Sequence, residues 1–337
     1  MSVSRQTWGI ATENPLSGWH PCVSPAPVAI ARELVNVVTV PDPGRSAETA
    51  SKLLAARAFD YHWSGAGPLS LKCVLRGVAR YSVGRARFDV NSRSCLILNH
   101  GQHYEIEACD PRGVEMLVVF LAPGIVEGVF SSLEHDVTRL LDEVDPDPGG
   151  SVRFFERLLE ATPRLTSMLD VLVQAARAPV HDWMAIDEAL VQLARHLLRE
   201  QGLTVQASRR LATLRPAARH ELYRRLLRAR DFARSCYSEP LRLQDLAQAA
   251  CLSPSHLLRS FRAAFGITPH QFVRNCRLQA ARDLLLTTDL PVTEICLSVG
   301  FESLGTFGSL FRRRFGVAPG SAREKSFRRS ASLRNSG

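Results

Sequence analysis

The sequence lacks the features that mark membrane, secreted and disulfide-stapled proteins. Its longest apolar stretch, Met116 to Ala122, is far shorter than the roughly 20 residues of a membrane span. No basic stretch followed by an apolar run and a small-residue cleavage site occurs near Met1, so we expect no secretory signal and a cytoplasmic location. The eight cysteines form no CxxC pair, which argues against a disulfide framework and a structural zinc site. With 45% hydrophobic and 22% charged residues, the composition is that of a soluble globular protein.

Positive charge is concentrated at one end of the chain, whose 337 residues favour two domains. From Pro216 to the C-terminus there are 20 Lys and Arg against 9 Asp and Glu, a balance of +11. Met1 to Arg215 contains 22 against 24, a balance of −2. This asymmetry predicts that the C-terminal part meets a polyanion and that the N-terminal part has a different task.

One helical pattern occurs twice in the basic region, 49 to 50 residues apart. Apolar residues at i, i+3, i+4 and i+7 predict a short amphipathic helix in each copy: Leu243, Leu246, Ala247 and Ala250, then Val292, Ile295, Cys296 and Val299. A tight turn follows, after which Ser253 or Ser303 is suited to cap a second helix. Each second helix is predicted to end at a glycine, Gly266 or Gly316. Each copy is therefore predicted to be a helix, a turn and a helix.

This arrangement is the helix-turn-helix unit, whose second helix lies in the major groove of DNA. Both second helices combine an apolar stripe with arginines on the opposite face, Arg259 and Arg262 in the first and Arg312 and Arg313 in the second. Amphipathic helix pairs are also common in all-α domains, and arginines at helix ends are usually solvated. Two matched pairs in a strongly basic segment favour DNA binding over that alternative.

The stretch from about Leu222 to Lys325 resembles the DNA-binding domain of the AraC/XylS family of transcription regulators. The resemblance is carried by Val292 to Ile295, Val299 to Ser303, Phe307, Phe311 to Arg313, Phe315, Gly316 and Pro319. It implies that a single chain inserts two recognition helices into neighbouring major-groove segments, about 34 Å apart. The expected DNA site is therefore non-palindromic.

The same resemblance implies which residues contact DNA. They are Ser255, His256, Leu258, Arg259 and Arg262 in the first unit, and Leu304, Gly305, Thr306, Ser309, Arg312 and Arg313 in the second. We expect Arg259 to pair with guanine, since a guanidinium can contact O6 and N7 together. Gly305 has no side chain, and Ser309 stands where family members often carry a long polar residue. We therefore expect the second helix to act mainly on phosphates, leaving sequence choice to the first helix and to DNA shape.

Short β-rich runs separated by turn residues, from Leu69 to Phe120, predict a small antiparallel barrel or sandwich. Gly84 to Phe88 and Leu96 to His100 resemble the cupin-type sensing domain that often precedes this DNA-binding domain, and a small barrel can enclose one ligand. The candidate effector-binding residues are His62, His100, His103 and Glu105. Loop residues satisfied by solvent are the alternative. The HxxHxE spacing departs from that of metal-binding cupins, so we predict neither a metal nor another cofactor.

The fold class predicted is α+β and multidomain. Its parts are an irregular segment (1–49), a cupin-like sensing domain (50–145), linker or dimerisation helices (151–215), a two-motif all-α DNA-binding domain (220–325) and a basic tail (326–337). One linker helix would carry Phe154, Leu158, Leu165, Leu169 and Leu172, and the other Ala185, Leu190, Leu193 and Leu197. These helices are expected to mediate homodimerisation, with packing against the barrel as the alternative.

The function predicted is that of a sequence-specific transcriptional regulator, an activator if it follows the family's commoner mode. A small-molecule effector would change its affinity for DNA or its contact with RNA polymerase. We expect no enzymatic activity and no membrane partner. Two alternatives stay open: a metal-dependent cupin oxygenase fused to a DNA-binding domain, and a non-specific architectural DNA protein. Stoichiometric metal would support the first, and a footprint confined to one promoter would exclude the second.

Overall fold

The computed structural model describes residues 34–41, 46, 49–84, 86–132, 152–211 and 215–323. The chain divides into two compact units, Met1–Arg228 and Ala229–Gly337. The predicted combination of an N-terminal sheet with a C-terminal helical domain is confirmed. The predicted basic tail lies outside the described residues, as does most of the segment 1–49. No helix in the described ranges is long and apolar enough to span a membrane.

The first unit contains an antiparallel sheet of eight strands. They are β1 (Leu34–Thr39), β2 (Lys52–Gly67), β3 (Ser70–Arg76), β4 (Val78–Val83), β5 (Ala86–Asn91), β6 (Ser94–Leu98), β7 (Gln102–Phe120) and β8 (Leu158–Glu160). The main path runs β1-β2-β7-β3-β6-β8, and β4 pairs with both β5 and β7. Among the strands that the structure describes, no pairing joins the two ends of this path. The closed cupin-like barrel therefore stays a prediction.

Strand β7 is the centre of the sheet. It pairs with β2 along most of its length, and its other edge pairs first with β4 and then with β3. The register with β2 shifts between Ala58 and Asp60. Such an irregularity exchanges the two faces of a strand, because side chains alternate with a period of two. Before the shift Ala56 and Ala58 face the apolar core, whereas beyond it Trp63 does so and His62 is exposed.

Helices α1 (Ile125–Ser131), α2 (Pro163–Arg177) and α3 (Trp183–Ser208) complete the sheet-containing unit. Helix α2 packs on β1 and β2, where Asn36 Nδ2 donates to the carbonyl of Ala176 at 3.0 Å. Residues 34–39, predicted to be irregular, form β1, an edge strand held by its pairing with β2. Phe154 and Leu158, predicted to lie on the first linker helix, precede it: Phe154 bonds through its backbone to the Asn99 side chain, and Leu158 belongs to β8. Pairing with distant β6 thus overrides the local helical pattern.

The second unit is entirely helical in its described part. Its helices are the end of α4 (Pro216–Ser235), followed by α5 (Leu243–Ala249), α6 (Pro254–Phe265), α7 (Pro269–Thr287), α8 (Val292–Ser298) and α9 (Leu304–Phe315). The pairs α5–α6 and α8–α9 are the two predicted helix-turn-helix motifs, and the second turn is one residue longer than the first. Both motifs are therefore confirmed, and the second helix of each begins after the predicted serine and ends before the predicted glycine.

Candidate nucleic-acid interface

The second helix of each motif begins and ends in the same way. Ser253 Oγ accepts a hydrogen bond from the backbone N–H of His256, and Ser303 Oγ accepts one from Thr306, both at 3.3 Å. The helices end at Gly266 and Gly316, whose φ values of 73° and 74° are left-handed conformations that L side chains disfavour. Serine and glycine thus limit α6 and α9 to 12 residues each.

An apolar stripe fixes the inner side of both helices. Leu257 and Phe261 in α6, and Phe307 and Phe311 in α9, are at most 1% exposed. Phe261 packs against Phe265 with ring centroids 4.5 Å apart, and Phe311 packs against Phe315 at 4.6 Å. Because one side of each helix is anchored in this way, its opposite side is held outward in a defined orientation.

The internal repeat extends to the helix that precedes each motif. Arg230 of α4 lies over the Phe265 ring at 5.6 Å, and Arg282 of α7 lies over the Phe315 ring at 5.1 Å. Both arginines belong to an Ala-Arg-Asp triplet, at 229–231 and at 281–283. The two triplets recur 52 residues apart, a repeat in the sequence that was not among the predicted features. The repeated unit is therefore three helices, with a cation–π contact closing each copy.

Arg277 of α7 holds two loops together, a role that the sequence did not predict. Its guanidinium donates to three backbone carbonyls: Tyr237 at 2.6 Å, Glu239 at 2.8 Å and Gly300 at 2.7 Å. One side chain thus ties the loop before α5 to the turn before α9. Gly300 has a φ of 90°, and a Cβ there would lie 2.6 Å from the Ser238 carbonyl oxygen. This close approach explains why the turn of the second motif contains a glycine.

The turns of the two motifs have related backbones. Leu252 N donates to the Ala247 carbonyl at 2.9 Å, and 49 residues later Phe301 N donates to the Cys296 carbonyl at 3.0 Å. The preceding residue is left-handed in both, Gly300 in the second motif and Cys251, with a φ of 52°, in the first. A positive φ is uncommon for a residue with a side chain. The first motif therefore carries local backbone strain that the second avoids.

The structure exposes all eleven residues expected to contact DNA. They are Ser255, His256, Leu258, Arg259, Arg262, Leu304, Gly305, Thr306, Ser309, Arg312 and Arg313. Exposure is required for contact with DNA, but their individual roles stay predictions. Ser309 Oγ donates to the carbonyl of Gly305 at 2.9 Å, so its proton is already used within α9. This hydrogen bond reduces what the second helix offers to a base edge.

Burial makes two thiols of the helical unit, Cys276 and Cys296, unreactive. Burial raises the pKa of Cys276 to about 11 and also raises that of Cys296. A thiol with a raised pKa stays protonated at neutral pH and is a weak nucleophile. These two cysteines are therefore packing residues.

The candidate effector-binding residues lie on an exposed surface. His103 and Glu105 are exposed on β7, in alternation with buried Tyr104 and Ile106; His62 is exposed on β2, and His100 is exposed in the turn before β7. Within the described ranges, His100, His103 and Glu105 do not form a group that could share a metal ion. Their role in effector binding stays a prediction.

The apolar core of the sheet instead contains Lys72, which the sequence analysis did not single out. This side chain is 2% exposed, and its Nζ donates to the Tyr104 hydroxyl at 2.8 Å. The same nitrogen lies 4.6 Å from the Tyr104 ring centroid and 4.7 Å from that of Phe120. Burial lowers the pKa of Lys72 to about 7, while the nearby Cys73 opposes the shift. No local sequence pattern distinguishes this lysine from an exposed one.

Comparison with known proteins assigns the helical unit to a class. Residues 246–325 match the family model described as a helix-turn-helix domain. The chain is 40% identical over 83 residues to the HTH-type transcriptional regulator MtrA of Neisseria gonorrhoeae, which is 25% of this chain and 28% of MtrA. It is 27% identical over 208 residues to the HTH-type transcriptional regulator CdhR of Pseudomonas aeruginosa, 60% of this chain and 59% of CdhR.

The chain is also similar to the crystal structure of a transcriptional regulator from Chromobacterium violaceum that is described as an AraC-type DNA-binding domain-containing protein. It is 30% identical to this chain and covers 30% of it and 91% of its own length, with a TM-score of 0.30. The matched region of this chain is a helix-turn-helix domain. The similarity to a DNA-binding domain of transcription regulators that the sequence indicates is thus confirmed at the level of a helix-turn-helix domain.

Proposed function

We propose that this protein is a sequence-specific DNA-binding transcriptional regulator whose DNA binding responds to an effector. The observation that carries the proposal is the repeated helix α6/α9, capped by serine, ended by glycine and exposing arginines on the side away from its core. Two such helices give two points of attachment to DNA. Contacts to base edges from such a helix would distinguish one DNA sequence from another, whereas contacts to phosphates would only position the protein.

The two helices have different tasks in this proposal. Arg259 is exposed on α6 and pairs with a guanine edge in the major groove. On α9, Gly305 has no side chain and the Ser309 hydroxyl is engaged with its own helix, so Arg312 and Arg313 bind phosphates instead. The first helix therefore selects the sequence, and the second fixes the position of the protein on the duplex.

The test begins by selecting bound fragments from a genomic library with the full chain. Affinities are then measured by fluorescence anisotropy for a selected duplex and a scrambled one. Arg259→Ala should lower the preference for the selected duplex by about 10-fold or more, since a bidentate pair contributes about 1–3 kcal/mol of discrimination. Arg312→Ala should weaken both duplexes to a similar degree. Arg76→Ala, at an exposed arginine of β3, is the matched control and should change neither affinity.

Two results would contradict this proposal. Equal affinity for selected and scrambled duplexes would indicate an architectural DNA protein. If Arg259→Ala weakened both duplexes equally while Thr306→Ala removed the preference, the assignment of tasks to the two helices would be reversed.

Regulation by an effector, activation through RNA polymerase and self-association through α2 and α3 belong to the same proposal. The first unit is compact and has its own apolar core, which supports a separate sensing task. Two exposed apolar side chains of α3, Met184 at 85% and Leu203 at 58%, support a helix-mediated homodimer. Sedimentation of the wild type and of Leu203→Glu tests the dimer, which the charged side chain should weaken.

A further inference from the structure

Three potential metal ligands converge on the exposed side of the sheet, at the place where its register shifts. They are the Asp60 carboxylate, the His62 imidazole and the Cys109 thiol. Cys109 Sγ lies 3.0 Å from Asp60 Oδ1 and 3.3 Å from His62 Nε2, and His62 Nε2 lies 3.3 Å from Asp60 Oδ1. We propose that these three side chains form a binding site for a divalent transition metal ion of the zinc type.

The backbone holds the three side chains together. Asp60 and His62 are two residues apart in β2, so their side chains leave the same face of the strand. Cys109 lies directly opposite Asp60 in β7, and directly opposed side chains on adjacent strands start only about 5 Å apart. The register shift after Ala58 turns this face outward, since without it Asp60 and His62 would continue the buried row of Ala58. The irregularity therefore creates the cluster.

The spacing of the ligand atoms fits one tetrahedral ion. Zinc binds sulfur at about 2.3 Å and nitrogen or oxygen at about 2.0–2.2 Å, so ligand atoms around it are about 3.4–3.6 Å apart. The three observed separations, 3.0, 3.3 and 3.3 Å, are within about half an ångström of that range. Thiolate and imidazole ligands favour zinc, cobalt or copper over magnesium or calcium.

The geometry disfavours a nucleophilic Cys-His-Asp triad. In a triad the two ring nitrogens have different partners, the nucleophile at one and the orienting carboxylate at the other. Here the same atom, His62 Nε2, faces both Cys109 Sγ and Asp60 Oδ1. Three ligand atoms that converge on a common point are the arrangement of a metal site.

The site would have a vacant fourth position. The Asp60 and His62 side chains are 64% and 57% exposed, so solvent or a small molecule can reach the ion. Glu107 lies directly opposite His62, and its carboxylate is 3.7 Å from Arg80 Nη1. This ion pair limits how readily Glu107 becomes the fourth ligand. The proposal concerns the first unit alone and does not depend on DNA binding.

Co²⁺ is the probe, because its absorption spectrum reports coordination. Full-length reduced protein should bind one equivalent of Co²⁺ with the visible bands of a tetrahedral site and a sulfur-to-cobalt charge-transfer band, both removed by added Zn²⁺. Cys109→Ser should lose the charge-transfer band, and His62→Ala and Asp60→Asn should each weaken Co²⁺ binding about 10-fold or more.

The matched control is Cys251→Ser, at the other exposed cysteine in the described part of the chain, which should keep both the spectrum and the affinity. Zn²⁺ should also slow alkylation of Cys109 while leaving the alkylation of Cys251 unchanged. Absence of Co²⁺ binding by the wild type would overturn the proposal. So would an unchanged charge-transfer band in Cys109→Ser, since the thiolate ligand would then lie elsewhere.

Discussion

Replacement of the buried amine of Lys72 should change how the stability of the first unit depends on pH. Burial lowers the pKa of Lys72 from 10.5 to about 7. Between these two pH values, Lys72 has lost its proton in the folded unit but still holds it in the unfolded chain. Stability rises with pH wherever the unfolded state binds more protons. The cost of burying the charge is therefore fully present below pH 7 and is relieved as the pH rises toward 10.5.

The size of the effect follows from the two pKa values. Between pH 7 and pH 9 the difference in bound protons increases the free energy of unfolding by about 2 kcal/mol. Lys72→Met removes the titrating group while keeping a long side chain among the Tyr104 and Phe120 rings. The stability advantage of the variant should accordingly shrink by about 2 kcal/mol over this interval.

The assay is urea unfolding at pH 7, 8 and 9, followed by tryptophan fluorescence. All four tryptophans, at positions 8, 19, 63 and 183, precede Ala229, so the signal excludes the helical unit. Tyr104→Phe is the matched control, because it removes the 2.8 Å hydrogen bond but leaves the amine and should keep the pH dependence. If the wild type and Lys72→Met instead differed by the same amount at every pH, the amine would have an ordinary pKa when folded.

Three further predictions concern the helical unit. Circular dichroism can be used to follow the unfolding of this unit. Gly266→Ala should cost about 1–2 kcal/mol because its backbone is left-handed. Gly300→Ala should cost about 2 kcal/mol more, because a Cβ there would also meet the Ser238 carbonyl and the Arg277 guanidinium, whereas a Cβ at position 266 would meet nothing within 4 Å. Equal losses would contradict this. Arg277→Ala should lower the free energy of unfolding by about 2–4 kcal/mol, because three hydrogen bonds are lost. An unchanged free energy of unfolding would show that Arg277 does not stabilise the two loops. DNA affinity should fall about 10³- to 10⁵-fold between 50 and 200 mM salt. In Arg312→Ala the slope of log affinity against log salt concentration should be shallower by about one. An affinity that does not change with salt would exclude phosphate contacts.

The helical unit was predictable because its determinants are local. A serine cap, a stripe at helical spacing and a terminal glycine all lie within about a dozen residues, and each has one dominant structural meaning. Arg277 was not predictable in this way. Its partners at Tyr237 and Gly300 are 40 and 23 residues distant, and only the packed fold shows that they meet.

The sheet was predicted less completely because its determinants are non-local. Strand β2 was not predicted, since Asp60 to His62 interrupts its apolar pattern next to the point where its register with β7 shifts. The same shift decides which face His62 occupies, and alternation along the sequence alone cannot locate it. The polar side chains on the two faces, Lys72 within the core and Asp60 outside, therefore had to be found from the structure.

The two motifs keep the same frame but not the same recognition surface. Both copies repeat the serine cap, the aromatic stripe, the terminal glycine and the arginine that covers the last aromatic ring. The backbone and packing of the two motifs are therefore constrained in the same way. The exposed positions are not repeated: Arg259 is a long, exposed cationic side chain, whereas the Ser309 hydroxyl is bonded to its own helix. Because residues at these positions carry no packing, they can differ between copies without disturbing the fold. Two equivalent helices can therefore take unequal shares in choosing a DNA sequence.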